Sequence, residues 1–108
     1  MTVVLAGQGA AAPTVSYCSH PGVFATRSGA GQYTLNVPAC ARVVVAGYAF
    51  QKDAALLGTD PLLCQIGLVS AANGTLELRT AEADTAVALA ELPVGQTLSI
   101  DIVLLGAF

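Results

Sequence analysis

Residues 66–79, IGLVSAANGTLELR, place the dipeptide Asn73-Gly74 between two apolar segments. This dipeptide accepts the positive φ angles of a type I′ turn, so we expect the flanking segments to pair as an antiparallel hairpin. In residues 76–79, LELR, leucines alternate with charged residues, and side chains alternate between the two faces of a strand. One face of this hairpin is therefore predicted to be buried and the other to face solvent.

Short apolar segments separated by turn residues recur along the whole chain, which indicates an all-β, antiparallel, jelly-roll-like β-sandwich of about eight strands. We assign residues 14–108 to a single sandwich domain and residues 1–13 to a flexible N-terminal segment or arm, because residues 6–13 are rich in Gly and Ala. The final strand is predicted to be central. The clearest strands are residues 22–27, 32–37, 42–50, 63–70, 75–80 and 98–105.

Three segments leave alternatives open. Residues 43–46 are apolar at every position, which predicts either a central strand or a strand covered by a neighbouring subunit. Residues 51–58 favour one helical turn, with Asp53 as a possible N-cap and Gly58 as a possible stop. Residues 80–92 have helical propensity, but their alternation at Thr85, Val87 and Leu89 favours a strand.

The composition favours contact with other proteins. Hydrophobic residues make up 55% of the chain and charged residues only 10%, so some apolar surface is expected to remain outside the core. The longest apolar run, residues 43–50, is too short to span a membrane. The net charge of −3 and the lack of a basic cluster argue against nucleic-acid binding. The first residues lack the pattern of a secretory signal, which predicts synthesis in a cytoplasm.

No combination of residues predicts a catalytic, cofactor-binding or metal site. Cys18, Cys40 and Cys64 are widely spaced and are expected to be buried reduced thiols, with one disulfide as the alternative. Cys18 and His20 form the only local pair of metal-ligating types, and a zinc site needs about four ligands. We therefore predict that the protein is not an enzyme and holds no cofactor. An inward Asp101 would need a partner such as Arg42 or Arg79.

Two stretches resemble the jelly rolls of the complement and tumour-necrosis-factor-like family. They are residues 31–35, GQYTL, with the following strand that ends GYAF at residues 47–50, and residues 89–102, LAELPVGQTLSIDI. The chain departs from the family pattern at Gln96, where an acidic residue is usual, in having no Trp, and in its ending Gly106-Ala107-Phe108. We carry over no receptor or calcium site from this resemblance.

In composition and strand pattern the chain is also similar to small virion proteins of tailed bacteriophages. That resemblance implies a structural virion protein, made in the host cytoplasm, that decorates or cements a capsid as a homotrimer bound to the major capsid protein. The alternative is a fibre or cell-surface binding module that recognises a host glycan or protein. We predict Tyr33, Tyr48, Phe50 and Phe108 as interface residues, because aromatic residues are favoured at contact centres; packing in the core is the alternative for each.

Overall fold

The structure, a computed structural model, describes residues 1–58, 61–83 and 88–107. Within these residues the chain forms eight strands and one turn of 3-10 helix at Ala54–Leu56. None of the helical structure in these ranges is long and apolar enough to cross a membrane. The strands are β1 (Thr2–Ala6), β2 (Thr14–Cys18), β3 (Phe24–Gly29), β4 (Gln32–Asn36), β5 (Cys40–Lys52), β6 (Leu62–Ser70), β7 (Thr75–Glu82) and β8 (Gln96–Ala107).

The strands form two antiparallel sheets that pack face to face. The first sheet has the order β2-β1-β8-β5 and the second has the order β3-β4-β7-β6. The chain passes from one sheet to the other after β2, β4, β5 and β7. The predicted antiparallel β-sandwich is confirmed, and so is the central position of the last strand, since β8 lies between β1 and β5.

Alternating side chains build the core between the sheets. In β1, β4 and β7 fully buried residues alternate with half-buried ones, as expected for strands with one buried face. Leu76 and Leu78 are completely buried, whereas Glu77 and Arg79 lie on the other face and form a 3.0 Å ion pair. The faces predicted for residues 76–79 are therefore confirmed.

The hairpin predicted from Asn73-Gly74 joins β6 to β7, but its turn is longer than a type I′ turn. Ser70 and Thr75 are the last paired residues, so four residues form the loop. Gly74 has a φ of +69°, and a Cβ atom at this position would lie 2.0 Å from the carbonyl oxygen of Val37. The glycine is required both by its positive φ and by this close approach of the β4–β5 connection.

The prediction of an N-terminal arm over residues 1–13 is wrong for the first strand. β1 lies inside the first sheet, paired with β2 on one side and β8 on the other. Val3 and Leu5 are completely buried, and the Gly7 and Gly9 amides donate hydrogen bonds to the carbonyl oxygens of Gln96 and Leu92. The Gly/Ala-rich composition after Ala6 indicated flexibility, but tertiary hydrogen bonds fix this segment, and the sandwich begins at β1 rather than at residue 14.

The helical turn predicted within residues 51–58 is confirmed as the single 3-10 turn, although Asp53 makes no side-chain capping bond. Gly58 follows with a φ of +85°. In the segment of residues 80–92, β7 ends at Glu82 and Leu89 makes an isolated bridge to Ala81. Residues 84–87, which include Thr85 and Val87, lie outside the described residues, so the predicted strand there is not assessed.

Residues 88–93, which we call the strap, are fixed to the second sheet. The Thr80 hydroxyl donates to the carbonyl oxygen of Ala90 at 2.6 Å, and the Leu92 amide donates to the Tyr33 hydroxyl at 2.8 Å. Arg27 of β3 forms a 2.8 Å ion pair with Glu91, which holds the pKa of the Glu91 carboxyl below its ordinary value. The strap therefore sits on the end of the sandwich next to Gln96.

Candidate contact face

The long strand β5 lies at the edge of the first sheet, although its sequence is apolar on both faces. Its one strand neighbour among the described residues is β8. The prediction of a central strand for residues 43–46 is therefore wrong, because the strand order leaves one side of β5 unpaired. The alternative derived from the sequence, a strand covered by a neighbouring subunit, stays a prediction.

The register between β5 and β8 defines which side chains face outward. Val45 pairs with Ile102 and Val43 with Leu104, and all four contribute to the core. The intervening pair, Val44 with Val103, must point away from the core because side chains alternate.

An apolar patch results on the outer face of the first sheet. Val103 is 44% exposed and Leu105 is 45% exposed, and Val44 beside them is half-buried. We call Val44, Val103 and Leu105 the apolar patch. Exposed apolar residues that lie together, rather than singly, are typical of interaction sites.

Two opposite charges flank the apolar patch. Arg42 is paired across the strands with Leu105 and is exposed. Asp101 is exposed on the same face of β8, four residues before Leu105, and accepts a 2.7 Å hydrogen bond from the Thr2 hydroxyl. At about 3.4 Å per residue the backbone positions of the two residues are about 14 Å apart along the strand, too far for their charges to pair within one chain. Asp101 therefore points outward and does not need the buried partner considered for it.

The predicted interface aromatics fall in different environments. Tyr33 is 1% exposed and packs in the core, which removes it from the candidate contact residues of the folded chain. Tyr48 is 43% exposed and its ring contacts that of Phe50 edge-on at 5.8 Å between centroids. Phe50 is half-buried and packs against the core. Phe108 lies outside the described residues.

The sequence pattern did not single out Val103 and Leu105, whereas Val44 lies in the segment 43–46, for which cover by a neighbouring subunit was one of the two predicted alternatives. The signal for Val103 and Leu105 was present in residues 100–105, IDIVLL, because an apolar residue on both faces of a strand is unusual when only one face meets the core. The same pattern is expected for a strand that is buried on both faces, and only the strand order distinguishes the two cases. The interface prediction was based on aromatic residues instead. Tyr33 shows that an aromatic side chain can equally belong to the core.

The cysteines are free thiols in this structure. Cys40 and Cys64 are buried, and Cys18 is half-buried. Burial raises the pKa of the Cys64 thiol to about 11, so this side chain remains protonated at neutral pH. The amide of His20 donates to the Cys18 sulfur at 3.4 Å, and the His20 residue is exposed in a turn. Across the described ranges, no three His, Cys, Asp or Glu side chains cluster as a metal site would require.

Comparison with known proteins yields no relative: the chain matches no protein-family model, no curated protein and no solved structure.

Proposed function

We propose that this chain is a non-catalytic structural subunit that assembles with copies of itself through the apolar patch. The observation that carries the proposal is the outward-facing pair Val103 and Leu105, nearly half exposed on a regular strand whose other face is fully used by the core. Covering such side chains with another protein surface stabilises an assembly by about 25 cal/mol for each Å² of apolar area removed from water.

The charges beside the patch favour a second copy of the chain as the occupant. Arg42 and Asp101 have opposite signs and lie on the same face, so the Arg42 of one copy can meet the Asp101 of another. Around a closed rotation axis, each copy can then offer its Arg42 to one neighbour and its Asp101 to the other. The jelly-roll resemblance of residues 31–35, 47–50 and 89–102 supports a homotrimer as the assembly.

At a finer level, we propose that the assembly is a capsid decoration or cement protein of a tailed bacteriophage, made in the host cytoplasm and bound to the major capsid protein. The low charge content and the similarity of the composition to small virion proteins support this role. The test is mass spectrometry of purified particles from the source virus. The chain should be present in many copies per particle, and its absence would contradict the virion role.

One observation favours a fibre or cell-surface binding module as the second candidate. Tyr48 and Phe50 form an aromatic pair at the edge of the sandwich, and Phe50 also lines a shallow depression of about 530 Å³ with Asp53, Leu57 and Thr97. Aromatic rings beside polar groups suit a host glycan. A glycan array should then give hits that are lost on Tyr48→Ala, and an array without hits would count against this candidate.

The assembly itself is tested by the solution mass of the purified chain, measured by size-exclusion chromatography with light scattering. The proposal predicts a trimer. A monomer at all accessible concentrations would contradict self-assembly, and would leave only a different protein surface as a possible cover for the patch.

A further inference from the structure

A buried polar side chain, that of Gln96, lies away from the apolar patch, at the end of the sandwich beneath the strap. Gln96 begins β8, is 1% exposed, and has no hydrogen-bond partner for either its Nε2 or its Oε1 atom among the described residues. Its side chain lies on the inward face of β8, the same face as Leu98 and Ile100. A buried amide without a partner destabilises a fold, so its presence points to a partner that binds from outside.

Gln96 lines a cleft that could hold such a partner. The cleft has a volume of about 290 Å³, and Leu56, Leu62, Ala90 and Pro93 supply its aliphatic walls. This volume is just below the roughly 300–1,000 Å³ range of ligand pockets, so the occupant is one small molecule or one side chain. The described lining contains no aromatic ring, which disfavours a sugar that would stack on one.

The charged residues of the lining disfavour an ionic ligand. Lys52 and Glu82 have opposite signs, and Glu91 forms its ion pair with Arg27 and also accepts a 3.0 Å hydrogen bond from the Gly31 amide. The net charge offered to a ligand is therefore close to zero. A neutral ligand with an aliphatic body fits this lining best.

We infer that the cleft binds a neutral aliphatic amide whose carbonyl and N–H groups pair with the Gln96 amide. An amide presents one acceptor beside one donor, which complements the Nε2 donor and Oε1 acceptor of glutamine. The same chemistry can come from a free small amide or from a peptide group or amide side chain of another protein. This inference does not depend on the proposed assembly, since the cleft and the apolar patch share no residue.

The test is an NMR titration of the full ¹⁵N-labelled chain with isobutyramide and with methyl isobutyrate, an ester of similar shape that lacks the N–H donors. Isobutyramide should shift the side-chain NH₂ resonances of Gln96, which are assigned by their loss in Gln96→Met, and the ester should bind about tenfold more weakly. Gln96→Met should weaken isobutyramide binding about tenfold. Gln65→Met, on the exposed face of β6, should leave it unchanged.

A titration with N-acetylalanine N-methylamide separates the two sources of the amide. Tighter binding of this blocked peptide indicates a protein segment, and tighter binding of isobutyramide indicates a small molecule. The inference is overturned if neither amide shifts the Gln96 resonances, if amide and ester bind equally, or if Gln96→Met binds isobutyramide as the wild type does.

Thermal unfolding without ligand gives an independent readout. Gln96→Met should unfold at a higher temperature than the wild type, because it replaces an unpaired amide with an apolar side chain of similar size. A lower unfolding temperature, or failure to fold, would show that the amide already has a structural partner and would overturn the inference.

Discussion

The two outer faces of the sandwich both belong to antiparallel four-stranded sheets, but they differ in chemistry. On the second sheet the outward positions are largely polar, as the cross-strand pairs Thr26 with Thr34 and Gln65 with Arg79 show. On the first sheet, residues 42–44 of β5 pair with residues 103–105 of β8, and these paired segments carry the apolar patch. An antiparallel sheet face that meets water is usually polar, so the difference is the one that the proposed assembly through the first face requires.

The outer face of the second sheet also carries exposed apolar residues, but they are not adjacent to one another. Phe24 is 53% exposed and Leu63 is 51% exposed, slightly more than Val103 and Leu105. Phe24 is on β3 and Leu63 on β6, the two edge strands of the second sheet, so they are separated by its full width. Isolated exposed hydrophobics are ordinary, whereas adjacent ones form a surface that another protein can cover. Arrangement, rather than exposure alone, distinguishes the faces.

The largest expected effect comes from placing charges in the apolar patch. In the variant Val103→Asp/Leu105→Asp, assembly would bury two carboxylates without partners, so we expect the dissociation constant of the assembly to rise at least about 100-fold. Each isolated chain should remain folded, because both positions are nearly half exposed. Sedimentation velocity over a concentration series measures the dissociation constant, and an unchanged value would contradict the assignment of this face.

A smaller effect is expected from the charges that flank the patch. Arg42→Asp and Asp101→Arg should each weaken assembly about fivefold, since an exposed ion pair contributes about 0.2–1 kcal/mol and a repulsion costs a similar amount. The double variant reverses both signs and should restore the wild-type dissociation constant to within about twofold. A double variant that is as weak as the product of the two singles would show that Arg42 and Asp101 do not meet across an interface.

The smallest effect is expected at the strap, which belongs to neither outer face. Glu91→Gln removes the ion pair with Arg27 and should lower the melting temperature slightly at pH 7 without changing the solution mass. Because Arg27 lowers the folded-state pKa of Glu91, the ion pair stabilises the fold above the unfolded pKa of about 4.3 and stops doing so as the pH falls through the folded pKa. The difference in melting temperature between wild type and variant should therefore shrink below about pH 4. A difference that persists at pH 2 would assign the effect to lost packing.

Local patterns in the sequence predicted those parts of the fold that local chemistry decides. Alternation in residues 76–79 predicted the buried and exposed faces of β7, and Asp53 and Gly58 bracketed the segment in which the 3-10 turn forms. The N-terminal strand was not predicted, because one of its two pairing partners, β8, lies about 95 residues away in the chain, and the Gly/Ala-rich segment that joins β1 to its other partner, β2, resembles a linker. Local sequence patterns do not predict the pairing of segments that lie so far apart in the chain.

The candidate sites depended on strand order, which the sequence does not encode locally. Residues 43–46 predicted two alternatives, and the edge position of β5 rules out the central strand, while cover by a neighbouring subunit stays a prediction. In the sequence Gln96 is only a departure from a family pattern, since nothing there shows that a glutamine beside a turn will be buried. Burial of a single polar side chain is a tertiary property.

The central claim is that assembly uses the outer face of the first sheet, and a matched comparison of solution masses by light scattering tests it most directly. The wild type, Val103→Asp/Leu105→Asp and Phe24→Asp/Leu63→Asp are compared at one concentration, with two exposed apolar residues replaced on each face. We expect a trimer for the wild type and for the second-sheet variant, and a monomer for the first-sheet variant. A trimer that survives the first-sheet substitutions and is lost with those at Phe24 and Leu63 would contradict the claim.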